Sequence, residues 1–184
     1  NCTREDNFPS GAVDNLLIDS IEHKSPITTG PWRAPITNFL AFAEQSFLDE
    51  VAFAAKKDPV QFRLDLLERA KKSPVGEIKY DIDRMKGVIE LVAEKAGWGK
   101  KQNVSQGFSV YFSHRSYVAQ VAEMEMKNNN PVLKKIHAAS DCGIVVNRSG
   151  AMAQVQGGIV DGLSTALNAS VEISNGGATG LNYG

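Results

Sequence analysis

A glycine-bearing helix in the C-terminal part of the chain constrains its fold more than any other feature. Residues 141–163 read DCGIVVNRSGAMAQVQGGIVDGL. They predict a strand that ends in Asp141-Cys142-Gly143, followed by a helix over about 149–168. Glycine stands at positions 157, 158 and 162 of that helix, and each helical glycine costs about 1 kcal/mol relative to alanine. Such positions predict that another element or a ligand closely approaches the backbone.

Gln154 lies about one helical turn before Gly157 and Gly158, so the helix has a shallow groove with an amide at its rim. A groove of this kind could hold a flat polar ligand against Gly157 and Gly158. The alternative is close helix–sheet packing in which Gln154 is simply hydrogen-bonded. The residues by themselves favour packing, because a glycine within a helix often has a packing reason.

Composition excludes several classes of protein. The 184 residues carry a formal net charge of −1, with 42% hydrophobic and 22% charged residues, which is ordinary for a globular protein of one domain or two small ones. The balanced charge argues against nucleic-acid binding. No apolar run approaches the ~20 residues needed to span a membrane. Cys2 and Cys142 lie far apart, and the histidines are scattered, so no metal-ligand spacing is present.

The first half of the chain predicts three helices after an extended segment at 1–37 with one or two short strands. The first helix starts near Asn38, with an apolar face at Phe39, Ala43, Phe47, Val51 and Ala54. The second starts at Asp58-Pro59 and buries Val60, Leu64 and Leu67. The third runs over about 82–96, buries Met85, Ile89, Val92 and Ala96, and ends at Gly97.

The second half predicts strands and then the glycine-bearing helix. Alternation at Phe108, Val110 and Phe112 indicates one strand, and Val118, Ala122, Met124 and Met126 line one face of the next. Asn128-Asn129-Asn130 predicts a turn before a strand at 132–140. A short strand at 170–173 leads to a Gly176-Gly177 turn. The predicted class is α+β, with helices layered against a mixed or antiparallel sheet and 38–184 forming one piece.

Two further candidate sites have competing structural explanations. Cys142 could be a nucleophile with His137 or His114 as its base, although a buried structural cysteine is favoured. Arg33 follows Trp32 in a loop fixed by Pro31 and Pro35, where its guanidinium could bind phosphate or carboxylate. Stacking on Trp32 or a surface role explains Arg33 equally well.

Five segments in register resemble one family, the molybdenum hydroxylases of the xanthine dehydrogenase and aldehyde oxidase superfamily. The resemblance is to the molybdopterin-binding large subunit, of the isoquinoline 1-oxidoreductase beta-subunit type. It covers about residues 30–184. The segments are GPWRAP at 30–35, EQSFLDEVAFAAKKDPVQFRLDLL at 44–67, ELVAEKAGWG at 90–99, SYVAQVAEMEM at 116–126 and DCGIVVNRSGAMAQVQGGIVDGLSTAL at 141–167.

The resemblance implies a molybdopterin cofactor carrying molybdenum, commonly as the cytosine dinucleotide. The implied reaction hydroxylates a carbon of an N-heteroaromatic ring or an aldehyde, with water as oxygen donor. The implied partners are a [2Fe–2S] small subunit and the remaining large-subunit segments. By motif, Gln154 contacts the pterin, Gly157 and Gly158 permit its approach, and Trp32 and Arg33 reach the cofactor region. Family members occur in the cytoplasm and in exported complexes.

Departures from the family pattern suggest an internal piece of a longer protein. The family base is a glutamate in a GVGE-type segment followed by proline. Pro74-Val75-Gly76-Glu77 imitates it in the wrong order and without that proline, so Glu77 is expected in a solvent loop and the true glutamate beyond Gly184. Asn147-Arg148 replaces the family's Asn-Pro. The isolated chain is expected to hold no cofactor tightly and to show no turnover.

Overall fold

Local capping signals mark several of the helix ends in the chain. In the computed structural model, which describes residues 7–167 and 169–180, the first three helices are α1 (Thr37–Ala54), α2 (Pro59–Lys72) and α3 (Ile82–Ala96). Asp58 caps α2 by accepting hydrogen bonds from the backbone of Val60 and Gln61. Gly97 ends α3 in the left-handed conformation, with φ at 62°. The predicted bounds of α3 are therefore confirmed.

Three strands follow α3 and form one antiparallel sheet in the order β1-β2-β3. They are β1 (Ser105–Ser113), β2 (Ser116–Lys127) and β3 (Asn130–Asp141). Asn128 and Asn129 both have positive φ, as the two-residue turn between β2 and β3 requires. These elements confirm the α+β class and show that the sheet is antiparallel.

The core of this part of the chain lies between the helices and one face of the sheet. The apolar residues on the inner face of α3 are buried together with the core-facing residues of β1 and β2. Leu67 of α2, Ile89 of α3 and Val121 of β2 are 0% exposed. Phe8, near the N-terminus, is also buried in this core, so the N-terminal segment is anchored to it. The rest of that segment has no strand within residues 7–36, which corrects the expectation of one or two.

Four of the five apolar residues proposed for the buried face of α1 are exposed, and Val51 is half-buried. Phe39 is 52% exposed and Phe47 is 64% exposed, whereas Gln45, Leu48 and Ala52 are buried. The expectation failed because the buried Arg63 of α2 needs hydrogen-bond acceptors, and Gln45 provides them. A polar pair in the core thus overrides the apolar pattern of the helix.

The two faces of β2 cannot be distinguished by hydrophobicity. The core side holds Tyr117, Ala119, Val121 and Glu123. Val118, Ala122 and Met124 do share one face, as expected, but it is the less buried one, and Met126 is 65% exposed. Because both faces are largely apolar, period two predicts the strand and does not identify its core side.

The chain forms two compact units, Asn1–Gly143 and Ile144–Gly184. The second contains α4 (Arg148–Leu167) and a two-stranded antiparallel ribbon of β4 (Ile173–Ser174) and β5 (Gly177–Ala178). The ribbon turns at Asn175-Gly176, both at positive φ, so the strand begins later than 170 and the turn precedes Gly177. The assignment of 38–184 to one domain piece remains a prediction.

Candidate functional site

Helix α4 begins with an asparagine cap, at the position the sequence predicts. The Asn147 side-chain oxygen accepts hydrogen bonds from the Gly150 backbone N–H and the Ser149 hydroxyl, each at 2.9 Å. The bond from Gly150 satisfies one of the backbone donors that the first turn of a helix leaves unpaired. The helix therefore starts without the proline that the related family has after this asparagine.

The glycines of α4 face open space among the described residues. A Cβ atom built on Gly157, Gly158 or Gly162 would meet no atom within 4 Å. No residue of α4 is buried, and Gln154 is exposed. Close helix–sheet packing and a ligand groove remain the two alternatives that the sequence offers for these glycines. The helix backbone at these glycines is exposed, and the Gln154 side chain lies beside it.

Trp32 and Arg33 lie in the loop that leads into α1. The Asn38 side-chain amide donates a hydrogen bond to the Arg33 carbonyl at 3.2 Å, which ties the loop to the start of the helix. Trp32 is 49% exposed, and Arg33 is also exposed. Ala34 and Ile36 have positive φ, at 55° and 70°. The loop therefore holds both side chains at the surface of the first unit.

An arginine fork fixes the end of β3, where the Asp-Cys-Gly sequence begins. Arg84 of α3 donates from Nε to Asp141 Oδ2 at 2.9 Å and from Nη2 to Asp141 Oδ1 at 2.7 Å. The hydrogen bond from Arg84 is the main cause that lowers the pKa of Asp141 to about 2, with help from the Gly143 N–H. No sequence pattern indicates this pair, because its members are 57 residues apart.

Both histidines suggested as a base for Cys142 have other hydrogen-bond partners. His137 Nε2 lies 2.7 Å from Glu123 Oε1, and His114 Nδ1 lies 2.8 Å from the Ser113 hydroxyl, so each histidine has another partner. Cys142 itself is exposed, which corrects the expectation of a buried cysteine; it follows the last residue of an edge strand. Cys2 lies outside the described residues.

Two buried charged groups were missed by sequence reasoning. Arg63 is 0% exposed, and burial, the largest cause, lowers its pKa while Asp49 opposes that shift. Glu123 is 7% exposed and contacts both Lys101 and His137. The hydrogen bond from Lys101 is the first cause of the lowered pKa of Glu123. One sequence signal could have indicated that Glu123 is buried. It follows Tyr117, Ala119 and Val121 at every second position of β2, and these residues are buried.

Two other kinds of site are absent from the described residues. No cluster of three or more histidine, cysteine, aspartate or glutamate side chains there is arranged to hold a metal ion. Within the same residues, none of the helices combines the length and apolar character that crossing a membrane requires.

Three curated proteins are similar to the chain. A membrane-bound aldehyde dehydrogenase (pyrroloquinoline-quinone) of Gluconacetobacter polyoxogenes is 30% identical, over 78% of this chain and 20% of the relative. The beta subunit of isoquinoline 1-oxidoreductase from Brevundimonas diminuta is 30% identical, over 73% and 17%. A nicotinate dehydrogenase subunit of Pseudomonas putida is 24% identical, over 83% and 14%. The chain thus spans a fifth or less of the length of these relatives.

A family defined as the molybdopterin cofactor-binding domain matches residues 47–180. The match includes α2, α3, the three-stranded sheet and all of α4, and so takes in Gln154 and the exposed glycines. Trp32 and Arg33 lie before its first residue. The chain belongs to the molybdopterin cofactor-binding domain family.

Proposed function

We propose that the chain forms one wall of the cofactor site in a molybdenum hydroxylase. The observation that carries this proposal is the exposed glycine groove of α4. A Cβ atom on Gly157 or Gly158 would contact nothing in the described chain, so alanine would fit at both positions. Glycine there makes the helix less stable than alanine would. Close approach of a ligand to the backbone gives a reason for that cost.

The residues of this groove suit a molybdopterin. A pterin is flat and carries hydrogen-bond donors and acceptors along its edge, and the Gln154 amide offers both kinds of group. Gly157 and Gly158 leave the helix backbone accessible to a planar ring. When bound, the cofactor supplies the molybdenum chemistry of oxygen transfer, and these residues bind and orient it. Roles for Trp32 and Arg33 rest on the resemblance of GPWRAP to the family.

The substrate and partner proposals follow the family. The proposed reaction hydroxylates an N-heteroaromatic or aldehyde carbon with water as the oxygen donor, using a molybdopterin cytosine dinucleotide and a [2Fe–2S] partner subunit. Two relatives are named for isoquinoline and nicotinate, and both are named as subunits. Glu77 is exposed and outside helices and strands, which supports its exclusion as the catalytic base. The base would then belong to another large-subunit segment, and this chain alone would show no turnover.

A matched pair of glycine substitutions in the complete protein tests the cofactor role. Gly158→Val introduces a branched side chain into the α4 groove. Gly87→Val places the same side chain on α3, at another exposed helical glycine with nothing within 4 Å of its Cβ position. We expect Gly158→Val to reduce molybdenum and pterin content at least tenfold, and Gly87→Val to leave both near the wild-type level. Equal retention in the two variants would show that the groove does not hold the cofactor.

Oxygen labelling tests the reaction class separately. The complete protein, incubated with isoquinoline or nicotinate in H₂¹⁸O and an electron acceptor, should form a hydroxylated product that carries ¹⁸O. Gln154→Ala should lower this rate, whereas Gln156→Ala, at a neighbouring exposed position of α4, should not. Unlabelled product would contradict water as the oxygen donor.

A non-catalytic interaction module is the second candidate, favoured by the solvent side of α1. Four phenylalanines of this one helix are between 52% and 86% exposed: Phe39, Phe42, Phe47 and Phe53. Exposed apolar clusters of this kind mark interaction surfaces. Absence of molybdenum and pterin from the purified complete protein would favour this candidate over the hydroxylase.

A further inference from the structure

A cleft in the first unit is not explained by the family assignment. It lies between α1 and the sheet and has a volume of about 350 Å³, within the range of small-molecule sites in proteins. Its sheet side is formed by two directly opposed residue pairs, Ser109 with Gln120 and Tyr111 with Val118. Because side chains alternate along a strand, these residues occupy the face opposite core residue Val110.

The cleft combines aromatic walls with amide and hydroxyl groups. Phe42 of α1 and Tyr111 of β1 provide the rings. Gln45 and Gln120 provide amides, and further lining groups are hydroxyls. This mixture of a few polar groups and aromatic surface is typical of a site that orients a small planar ligand.

Gln45 is fixed in place by its neighbours. Its side-chain oxygen accepts hydrogen bonds from Arg63 Nε at 3.0 Å and from the Val110 backbone N–H at 3.3 Å. Gln45 is 6% exposed. Since the oxygen is already occupied, the amide N–H donors are the groups that Gln45 can offer to a ligand. They would suit a carbonyl oxygen.

The charges around the cleft favour a neutral ligand. Asp49 lines it, and Arg63 Nη2 lies 2.8 Å from Asp49 Oδ1, so the carboxylate is already paired. An anionic ligand would face the remaining exposed part of that carboxylate, whose side chain is 45% exposed. A cation would gain little from a carboxylate whose charge Arg63 already compensates. Uncharged N–H donors can still use the carboxylate as an acceptor.

We propose that this cleft binds a neutral aromatic carboxamide. Its ring would lie between Phe42 and Tyr111, its carbonyl would accept from Gln45, and its N–H groups would donate to Gln120. This site uses none of the residues assigned to the molybdopterin, so its test does not depend on the proposed function.

Three isosteric probes test the proposal on the ¹⁵N-labelled chain by chemical-shift titration. Benzamide should give saturable shifts at Ser46, Ser109 and Tyr111. Benzoate and benzamidine, which have the same ring with a negative or positive charge, should each bind at least fivefold more weakly. No saturable shifts with benzamide, or binding of either charged probe as strong as benzamide, would overturn the proposal.

Two variants assign the binding to the cleft. Ala41→Trp fills it, whereas Ala43→Trp places the same ring at an exposed position of α1 that does not line it. We expect Ala41→Trp to abolish benzamide binding and Ala43→Trp to preserve it. Gln120→Ala, a smaller change on the sheet, should weaken binding severalfold with unchanged thermal unfolding. Unaltered affinity in Gln120→Ala, or equal loss in both tryptophan variants, would contradict the assignment.

Discussion

Replacing Arg63 should strongly destabilise the first unit. Its guanidinium is the polar centre of the contact between α1 and α2. Nε and Nη2 donate to the side-chain and backbone oxygens of Gln45 at 3.0 Å, and Nη1 donates to the Pro59 carbonyl at 2.9 Å. The guanidinium carbon also lies 5.3 Å from the centre of the Phe108 ring.

The change in unfolding free energy for Arg63→Met combines the hydrogen bonds that are lost with the cost of burying a charge, which is avoided. Hydrogen bonds from a charged donor contribute about 1.5–3 kcal/mol each, so these donors give roughly 4.5–9 kcal/mol in total. Burying the guanidinium costs several kcal/mol, which the methionine avoids. Methionine also retains most of the apolar stem. Breaking a buried charged pair typically leaves a net loss of about 3–5 kcal/mol, and we expect about 3 kcal/mol because Asp49 remains partly hydrated.

Two controls separate the contributions. Arg63→Lys keeps the charge but lacks the fork, so it should cost about 2 kcal/mol. Asp49→Asn removes only the partly exposed ion pair and should cost less than about 1 kcal/mol.

Urea unfolding followed by tryptophan fluorescence measures these changes. Both tryptophans, Trp32 and Trp98, belong to the first unit, so the signal does not include α4. Arg63→Met as stable as the wild type, or more stable, would refute the reasoning, because the buried contacts would then contribute nothing beyond the cost of burying the charge.

Three further outcomes are expected. Glu123 has a lowered pKa in the folded chain, so its stabilising contribution is present above its usual pKa of 4.5 and is lost as the pH falls through the folded value; Glu123→Gln should flatten acid unfolding in this range, and an unchanged pH profile would contradict this. Gly11→Ala should destabilise the chain by about 2 kcal/mol, because φ is +80° and the new Cβ would lie 2.4 Å from Ile78 Cγ1; wild-type urea stability would contradict the expected clash. Gly157→Ala should instead raise the stability of α4 by up to about 1 kcal/mol when no cofactor is bound. Thermal melting followed by circular dichroism measures this change. A loss of helix would show that the backbone at this position cannot accept a side chain.

Features set by neighbouring residues could be predicted from the sequence. The bounds of α3 follow from Gly97, which ends it, and from the spacing of its apolar residues, all close together in the sequence. The turn at Asn128-Asn129 likewise depends only on residues that tolerate positive φ. These signals are local, so they do not depend on which other elements the chain places nearby.

Features set by distant partners could not be predicted. The buried side of α1 depends on Arg63, a residue 18 positions after Gln45. The position of Asp141 depends on Arg84, in a helix that precedes the whole sheet. A single sequence without its contacts gives no reason to prefer Gln45 over Phe47 as the buried residue, because hydrophobicity favours the phenylalanine.

The glycines of α4 can be noticed in the sequence for a different reason. They lower the stability of the helix, and the described fold does not explain why they are there. An amphipathic helix is normally stabilised by burying its apolar face, yet α4 buries no residue in the described chain. Its glycines weaken the helix further and contact nothing that would compensate. Stability therefore gives no reason for Gly157 and Gly158. The proposed pterin contact does give one, because a planar ring could approach the helix backbone only where side chains are absent.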